Sequence, residues 1–118
     1  MATAGTYNIT MDQGAQWTLT VVYEDSNGNP INLTGYTARM QLRKKFDSTT
    51  AVLTLATGGQ GITITGPTGT IAITATDEQT GTIDGGLYVY DLELDNGGVI
   101  TRLIQGQVTV SPQVTLSV

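Results

Sequence analysis

Apolar and polar residues alternate with a period of two along much of the chain, a pattern typical of half-buried β-strands. The longest such stretch runs from residue 84 to residue 110 and is interrupted by Asp95-Asn96-Gly97-Gly98. It predicts two long strands joined by a tight turn. The side chains predicted to face inward are Tyr88, Tyr90, Leu92 and Leu94 on the first strand and Ile100, Ile104 and Val108 on the second. Leu103 is expected to complicate the register of this pairing.

Turn signals recur about every 8–12 residues between short strands, which favours a sandwich over a βαβ fold. One short helical turn is expected near residues 77–81, capped by Thr76 or Asp77. The sequence therefore predicts an all-β fold, an immunoglobulin-like antiparallel β-sandwich of about seven to nine strands. A chain of 118 residues is expected to form a single domain, residues 1–118.

The carboxy-terminal segment, residues 111–118, ends in another alternation, formed by Val114, Leu116 and Val118. We expect it to be either a final edge strand or a segment that pairs with another chain. In the second case its apolar residues are candidates for partner binding by strand addition.

The most specific local motif is Asp84-x-Gly86-x-Tyr88-x-Tyr90. It matches the strand-F pattern of immunoglobulin domains, with Tyr90 in place of the cysteine. Gly86 lets the chain bend into the strand, and Tyr88 is predicted to fold back onto an upstream backbone group as a tyrosine corner. The alternative is that Tyr88 simply packs. Trp17 is expected in the core or at its rim.

Composition removes several classes of function. The chain has no cysteine and no histidine, so disulfides, thiolate chemistry and the commonest general base are absent. A net charge of −5 argues against a nucleic-acid partner held through phosphates. No apolar run approaches the roughly 18 residues of a membrane span, and the first residues lack the features of a signal peptide. We expect a soluble, unexported protein.

Acidic residues allow two interpretations. Asp91, Glu93 and Asp95 alternate on the outward face of the long hairpin, where they are either a metal or acid–base site or a solvated acidic face. The solvated face is favoured. The segment 25–29 begins like a calcium loop, but Tyr36 stands where the bidentate glutamate belongs.

Four of the five basic residues fall within one predicted strand and its loop: Arg39, Arg43, Lys44 and Lys45. Basic charge concentrated here, with acidic charge elsewhere, suits head-to-tail or multi-copy assembly. The alternative is a strand end protected by lysines. These four residues are candidates for partner binding.

Catalysis has little support in the sequence. There is no nucleophile elbow, phosphate loop or zinc spacing, and a carboxylate pair for glycoside hydrolysis is a remote alternative. We predict that the protein is not an enzyme and needs no cofactor, metal or small-molecule substrate.

Two motifs carry a family resemblance, Leu33-Thr34-Gly35-Tyr36 and Gly86-Leu87-Tyr88-Val89-Tyr90-Asp91, within matching segments that span nearly the whole chain. The sequence resembles small β-sandwich structural proteins of tailed bacteriophages. It is similar to the amino-terminal domain of baseplate upper proteins, which attach receptor-binding parts to a phage tail.

This resemblance implies a virion structural protein, present in many copies in a particle assembled in the host cytoplasm. The first expectation is an accessory module of the tail, baseplate or neck that binds other virion proteins and copies of itself, without nucleic acid or membrane. The alternatives are a capsid-decorating cement protein and a carbohydrate-binding module for host attachment.

Overall fold

The computed structural model describes residues 5–114, which contain nine strands, one α-helix and one 3₁₀ turn. The strands are β1 (Gly5–Thr6), β2 (Ile9–Asp12), β3 (Trp17–Val22), β4 (Thr37–Arg43), β5 (Leu53–Ala56), β6 (Ile62–Thr65), β7 (Thr70–Ala75), β8 (Gly86–Asn96) and β9 (Val99–Ser111). The 3₁₀ turn is Gly66–Thr68, and the helix, α1, is Asp77–Gly81.

The strands form two sheets that share one hydrophobic core. The larger sheet has the order β1-β9-β8-β4-β5, with β2 also paired to β9, and the smaller sheet has the order β3-β7-β6. The all-β prediction is therefore confirmed, together with the two-sheet architecture.

The pairing of the first two strands differs from the predicted antiparallel arrangement. Both β1 and β2 run parallel to β9, with Ile9 beside Val108 and Asp12 beside Ser111. These strands come from opposite ends of the chain and no hairpin turn fixes their relative direction, which explains why local pattern did not reveal it. Gly106 is needed at this seam, because a Cβ there would collide with the backbone oxygen of Tyr7.

The core follows the predicted period-two pattern closely. On β8 the inward residues Tyr88, Tyr90, Leu92 and Leu94 are all buried, and they meet buried residues of β4 and β9. The fully buried side chains come from both sheets and from two connecting segments, and include Met11, Val21, Leu33, Met40, Leu42, Leu55, Ile71, Ile73, Ile83, Leu92, Leu94 and Ile104.

The prediction that Ile100 faces inward is wrong, because β9 contains a bulge. Leu92 lies opposite Ile104, but Glu93 lies opposite Arg102, so Leu103 is an extra residue in the ladder. One extra residue reverses the alternation beyond it. Leu103 and Ile104 are therefore both buried, and Ile100 faces outward with 46% of its surface exposed.

The predicted helical turn is confirmed at Asp77–Gly81. Thr76 is its N-cap: the Thr76 hydroxyl accepts from the Gln79 backbone N–H at 3.2 Å, and Gln79 Oε1 accepts from the Thr76 backbone N–H at 2.9 Å. This reciprocal pair is a capping box. It allows a helix of a single turn to bridge the two sheets.

Candidate interaction surface

Two tyrosines fix the strand on which the candidate surface is built. The Tyr88 hydroxyl donates to the carbonyl oxygen of Asp84 at 2.7 Å, which is the hydrogen bond of a tyrosine corner. The Tyr90 hydroxyl donates to the carbonyl oxygen of Tyr7 at 2.6 Å and so ties β8 to the start of the chain. Gly86 has a φ of +152°, and no atom lies within 4 Å of the position that a Cβ would take, so backbone conformation rather than crowding favours glycine there.

Burial raises the pKa of both tyrosines. For Tyr88 desolvation acts first and the nearby Asp84 carboxylate second, and for Tyr90 desolvation is again the larger cause, with Tyr7 adding to it. Both hydroxyls donate hydrogen bonds to backbone carbonyl oxygens. Trp17, the other residue singled out from the sequence for a structural role, is half-buried on β3 and packs against the core.

The outer face of the larger sheet brings the predicted acidic and basic residues together. Arg39 Nε lies 3.1 Å from Glu93 Oε1, and Arg102 Nε lies 3.4 Å from Asp91 Oδ2. The interpretation that separated the acidic stripe from the basic strand is therefore wrong for Arg39, because β4 and β8 are neighbours and Arg39 is in register with Glu93. The stripe is partly neutralised from both sides.

The Asp91 carboxyl is the group on this face whose pKa is shifted from its ordinary value. Its pKa is raised, first by desolvation and then by Glu93, while Arg102, Arg43 and Arg39 act in the opposite direction. Within residues 5–114 no group of three or more acidic side chains is arranged to hold a metal ion. The acids of β8 therefore form a mixed ionic surface.

The remaining cations lie at one end of this sheet, in a turn that we call the basic tip, residues 43–47. The Ser48 backbone N–H donates to the Lys45 carbonyl oxygen at 3.0 Å, and the Lys45 N–H donates to the Ser48 hydroxyl at 3.1 Å. Arg43 supports the turn by donating to the Ser48 carbonyl oxygen at 2.8 Å. Lys44 lies over the Tyr88 ring, 5.6 Å from its centroid.

The basic tip presents Phe46 to solvent with 89% of its surface exposed. Sequence reasoning identified the neighbouring cations and overlooked this aromatic residue. The signal available was an aromatic residue within a predicted loop, directly after two lysines, where no core position required one.

The opposite end of the same outer face carries a pocket of about 200 Å³, here called the rim pocket. It is lined by the ends of four strands: Thr37, Ala38, Arg39, Ala56, Thr57, Glu93, Leu94, Asp95 and Ile100. Its lining is mixed, with apolar side chains, two carboxylates and the guanidinium of Arg39, and the bulge in β9 turns Ile100 outward into it. The pocket depends on that bulge, which explains why the sequence pattern did not indicate it.

The carboxy-terminal candidates are only partly within residues 5–114. Ser111 is the last residue of β9, so the segment 111–118 is not a separate strand over its described part. The Gln113 N–H donates to Gln13 Oε1 at 2.8 Å, and Val114 follows with 94% of its surface exposed. Leu116 and Val118 lie outside the described residues.

The fold defines the chain as a two-sheet β-sandwich whose larger sheet has a charged outer face. A solved structure similar to it is the N-terminal domain of phage TP901-1 ORF48, with a TM-score of 0.52 and 13% sequence identity. The likeness covers 94% of this chain and 99% of that chain. No family model and no curated protein matches the chain. Within residues 5–114, no helix is long and apolar enough to cross a membrane.

Proposed function

We propose that this chain is a non-enzymatic structural module of a tailed-phage particle, located in the tail, baseplate or neck, where it binds neighbouring virion proteins. The observation that carries the proposal is the likeness of almost the entire chain to almost the entire N-terminal domain of phage TP901-1 ORF48. At 13% identity this likeness concerns the fold, and its use for function is our inference.

The surface chemistry supports binding rather than catalysis. Two of the three carboxylates of β8, those of Glu93 and Asp91, form ion pairs with arginines at 3.1 and 3.4 Å, and these pairs link three neighbouring strands. The exposed apolar residues lie near the ends of the sheet, where Phe46 is 89% and Val99 68% exposed. Isolated aromatic residues ringed by polar groups are the kind of anchor that protein interfaces use.

We assign partner binding to three places on the chain. These are the basic tip with Arg43, Lys44 and Lys45, the ionic face with Arg39, and the exposed Val114 that leads into residues 115–118. Partners are other virion proteins and further copies of this chain.

The direct test is to locate the chain in purified virions produced from the genome that encodes it. Immunogold electron microscopy against the chain is expected to label the tail, its distal end or the neck. Uniform labelling of the head would identify the capsid-decorating alternative. Absence of the chain from particles would contradict the proposal as a whole.

A glycan array with the isolated protein separates the carbohydrate-binding alternative. We expect the isolated protein to show no saturable binding to any glycan. We also expect it to bind to particles that lack the chain, and excess free sugar should not reduce that binding. Strong glycan binding by a chain that does not bind particles would favour host attachment over a structural role.

A further inference from the structure

The two ends of the larger sheet's outer face are complementary in shape and charge. The basic tip carries three cations and one carboxylate around an exposed phenylalanine. The rim pocket combines apolar lining with the Glu93 carboxylate, which is paired with Arg39, and the Asp95 carboxylate, which has no ion pair among the described residues. We propose that copies of this chain associate head to tail, with Phe46 of one copy seated in the rim pocket of the next. This inference rests on the proposed multi-copy structural role and names one of its partners.

The size of the pocket fits an aromatic ring. The rim pocket measures about 200 Å³, and an apolar cavity of about 150 Å³ accommodates benzene. Ala56, Leu94 and Ile100 supply apolar lining, and Ile100 is 46% exposed in the isolated chain. Covering it with a ring from another copy removes apolar surface from water on both sides.

Charge favours the same orientation. Within residues 5–114, Arg39 and Arg102 are paired with carboxylates, so the cations without such a pair lie together at Arg43, Lys44 and Lys45. Asp95 is at the pocket and has no ion pair among the described residues. In a chain with a net charge of −5, the basic tip meets favourable potential on most of a second copy, and the pocket adds an apolar site to it.

A copy cannot fill its own pocket. Thr37 lines the pocket and Arg43 begins the tip, so β4 separates them by its full length. At about 3.3 Å per residue, this separation is roughly 20 Å. The contact is therefore between molecules and heterologous, and repetition of it yields a ring or an open chain.

Hydrogen bonds hold the backbone of the basic tip in the isolated chain, which limits the entropic cost of association. The hydrogen bonds between Lys45 and Ser48 and from Arg43 to Ser48 hold the turn, and Phe46 stands within it. The phenylalanine makes no contribution to the buried core, so its removal is expected to leave the fold intact.

Sedimentation velocity over a concentration series up to about 1 mM tests the proposal. The average mass of the wild-type chain is expected to rise with concentration. Phe46→Ser and Ile100→Lys, which disable tip and pocket respectively, are each expected to weaken association about 30-fold or more, the loss typical of an interface anchor. Leu87→Ser, a matched loss of an exposed apolar side chain outside both the tip and the pocket, is expected to associate like wild type.

Mixing the two disabled variants gives the decisive result. Phe46→Ser retains a pocket and Ile100→Lys retains a tip, so an equimolar mixture is expected to form a one-to-one dimer and nothing larger. If Ile100→Lys fails to fold by circular dichroism, Ile100→Ser takes its place.

Three results would overturn the inference: a monomeric wild type throughout the series, a Phe46→Ser chain that associates like wild type, or no dimer in the mixture. If the chain is found in virions but is monomeric in solution, head-to-tail association is rejected and the proposed function stands. Finding self-association in a chain absent from virions rejects the proposed function alone.

Discussion

The two faces of β8 differ in how far their roles can be derived from the strand itself. The inward face, with Tyr88, Tyr90, Leu92 and Leu94, is buried in the core, as its alternation within the strand predicts. The outward face, with Asp91, Glu93 and Asp95, takes its character from β4 and β9, which bring arginines beside it. The residues that stabilise the core can therefore be identified from the alternation within β8. The charge of the outer face depends instead on which residues of β4 and β9 lie in register with it.

The largest difference in stability is expected between substitutions at two adjacent residues, one on each face of β8. Leu92 is fully buried between Met40 and Ile104, so Leu92→Ala is expected to lower the free energy of unfolding by about 2–5 kcal/mol. The neighbouring outward substitution, Glu93→Ala, is expected to cost less than about 1 kcal/mol. Denaturant unfolding of both variants measures the difference, and equal losses would contradict the distinction between the faces.

A smaller effect is expected at the tyrosine hydroxyls on the inward face. Tyr88→Phe and Tyr90→Phe each remove one hydrogen bond to a backbone carbonyl and keep the ring, so each is expected to cost about 1 kcal/mol. Tyr23→Phe is the matched control, since its hydroxyl has no protein partner within residues 5–114. Thermal unfolding compares the three, and a control as destabilised as the other two would show that the hydroxyl contacts are unimportant.

On the outward face the ion pairs are expected to contribute little. The Arg39 and Glu93 side chains are 60% and 24% exposed, so Arg39→Ala is expected to cost at most about 1 kcal/mol. A double-mutant cycle with Glu93→Ala isolates the pair, and added salt is expected to reduce its coupling energy. A coupling that grows with salt would show that the contact is not electrostatic.

The smallest effect is a pH dependence at Asp91. Its folded-state pKa is raised above its ordinary value of 3.8, so the folded chain holds this proton more tightly than the unfolded chain does. The resulting stability is present below the ordinary pKa and is lost as pH rises through the raised one. Asp91→Asn is therefore expected to gain stability relative to wild type as pH rises above 4 towards neutrality. A relative gain towards lower pH would contradict the sign.

Much of the fold was predictable because period-two alternation and turn residues are local signals. They placed the long hairpin of β8 and β9, the capped turn at Asp77–Gly81 and the inward set of β8. The parallel pairing of β1 and β2 with β9 was not predictable, because strands from opposite ends of the chain share no turn. Leu103 raised the question of register, but its place as the extra residue in the bulge emerged only from the pairing of β8 with β9.

The candidate surface was less accessible to sequence reasoning. Basic residues near the end of β4 were identified, but their division into a paired Arg39 and an unpaired tip depends on the register between β4 and β8. The rim pocket is assembled from the ends of four strands, so no single segment carries its signature. Phe46 was overlooked because period-two analysis assigns aromatic residues to the core.

The most direct test of the account is to measure stability and particle incorporation in the same variant, Phe46→Ser. The chain is supplied in trans during production of virions whose own copy is deleted, and the copies per particle are counted by quantitative mass spectrometry. The account predicts an unfolding curve like that of wild type, because Phe46 is 89% exposed, together with strongly reduced incorporation. Wild-type incorporation of this folded variant would contradict the assignment of binding to the ends of the outer face.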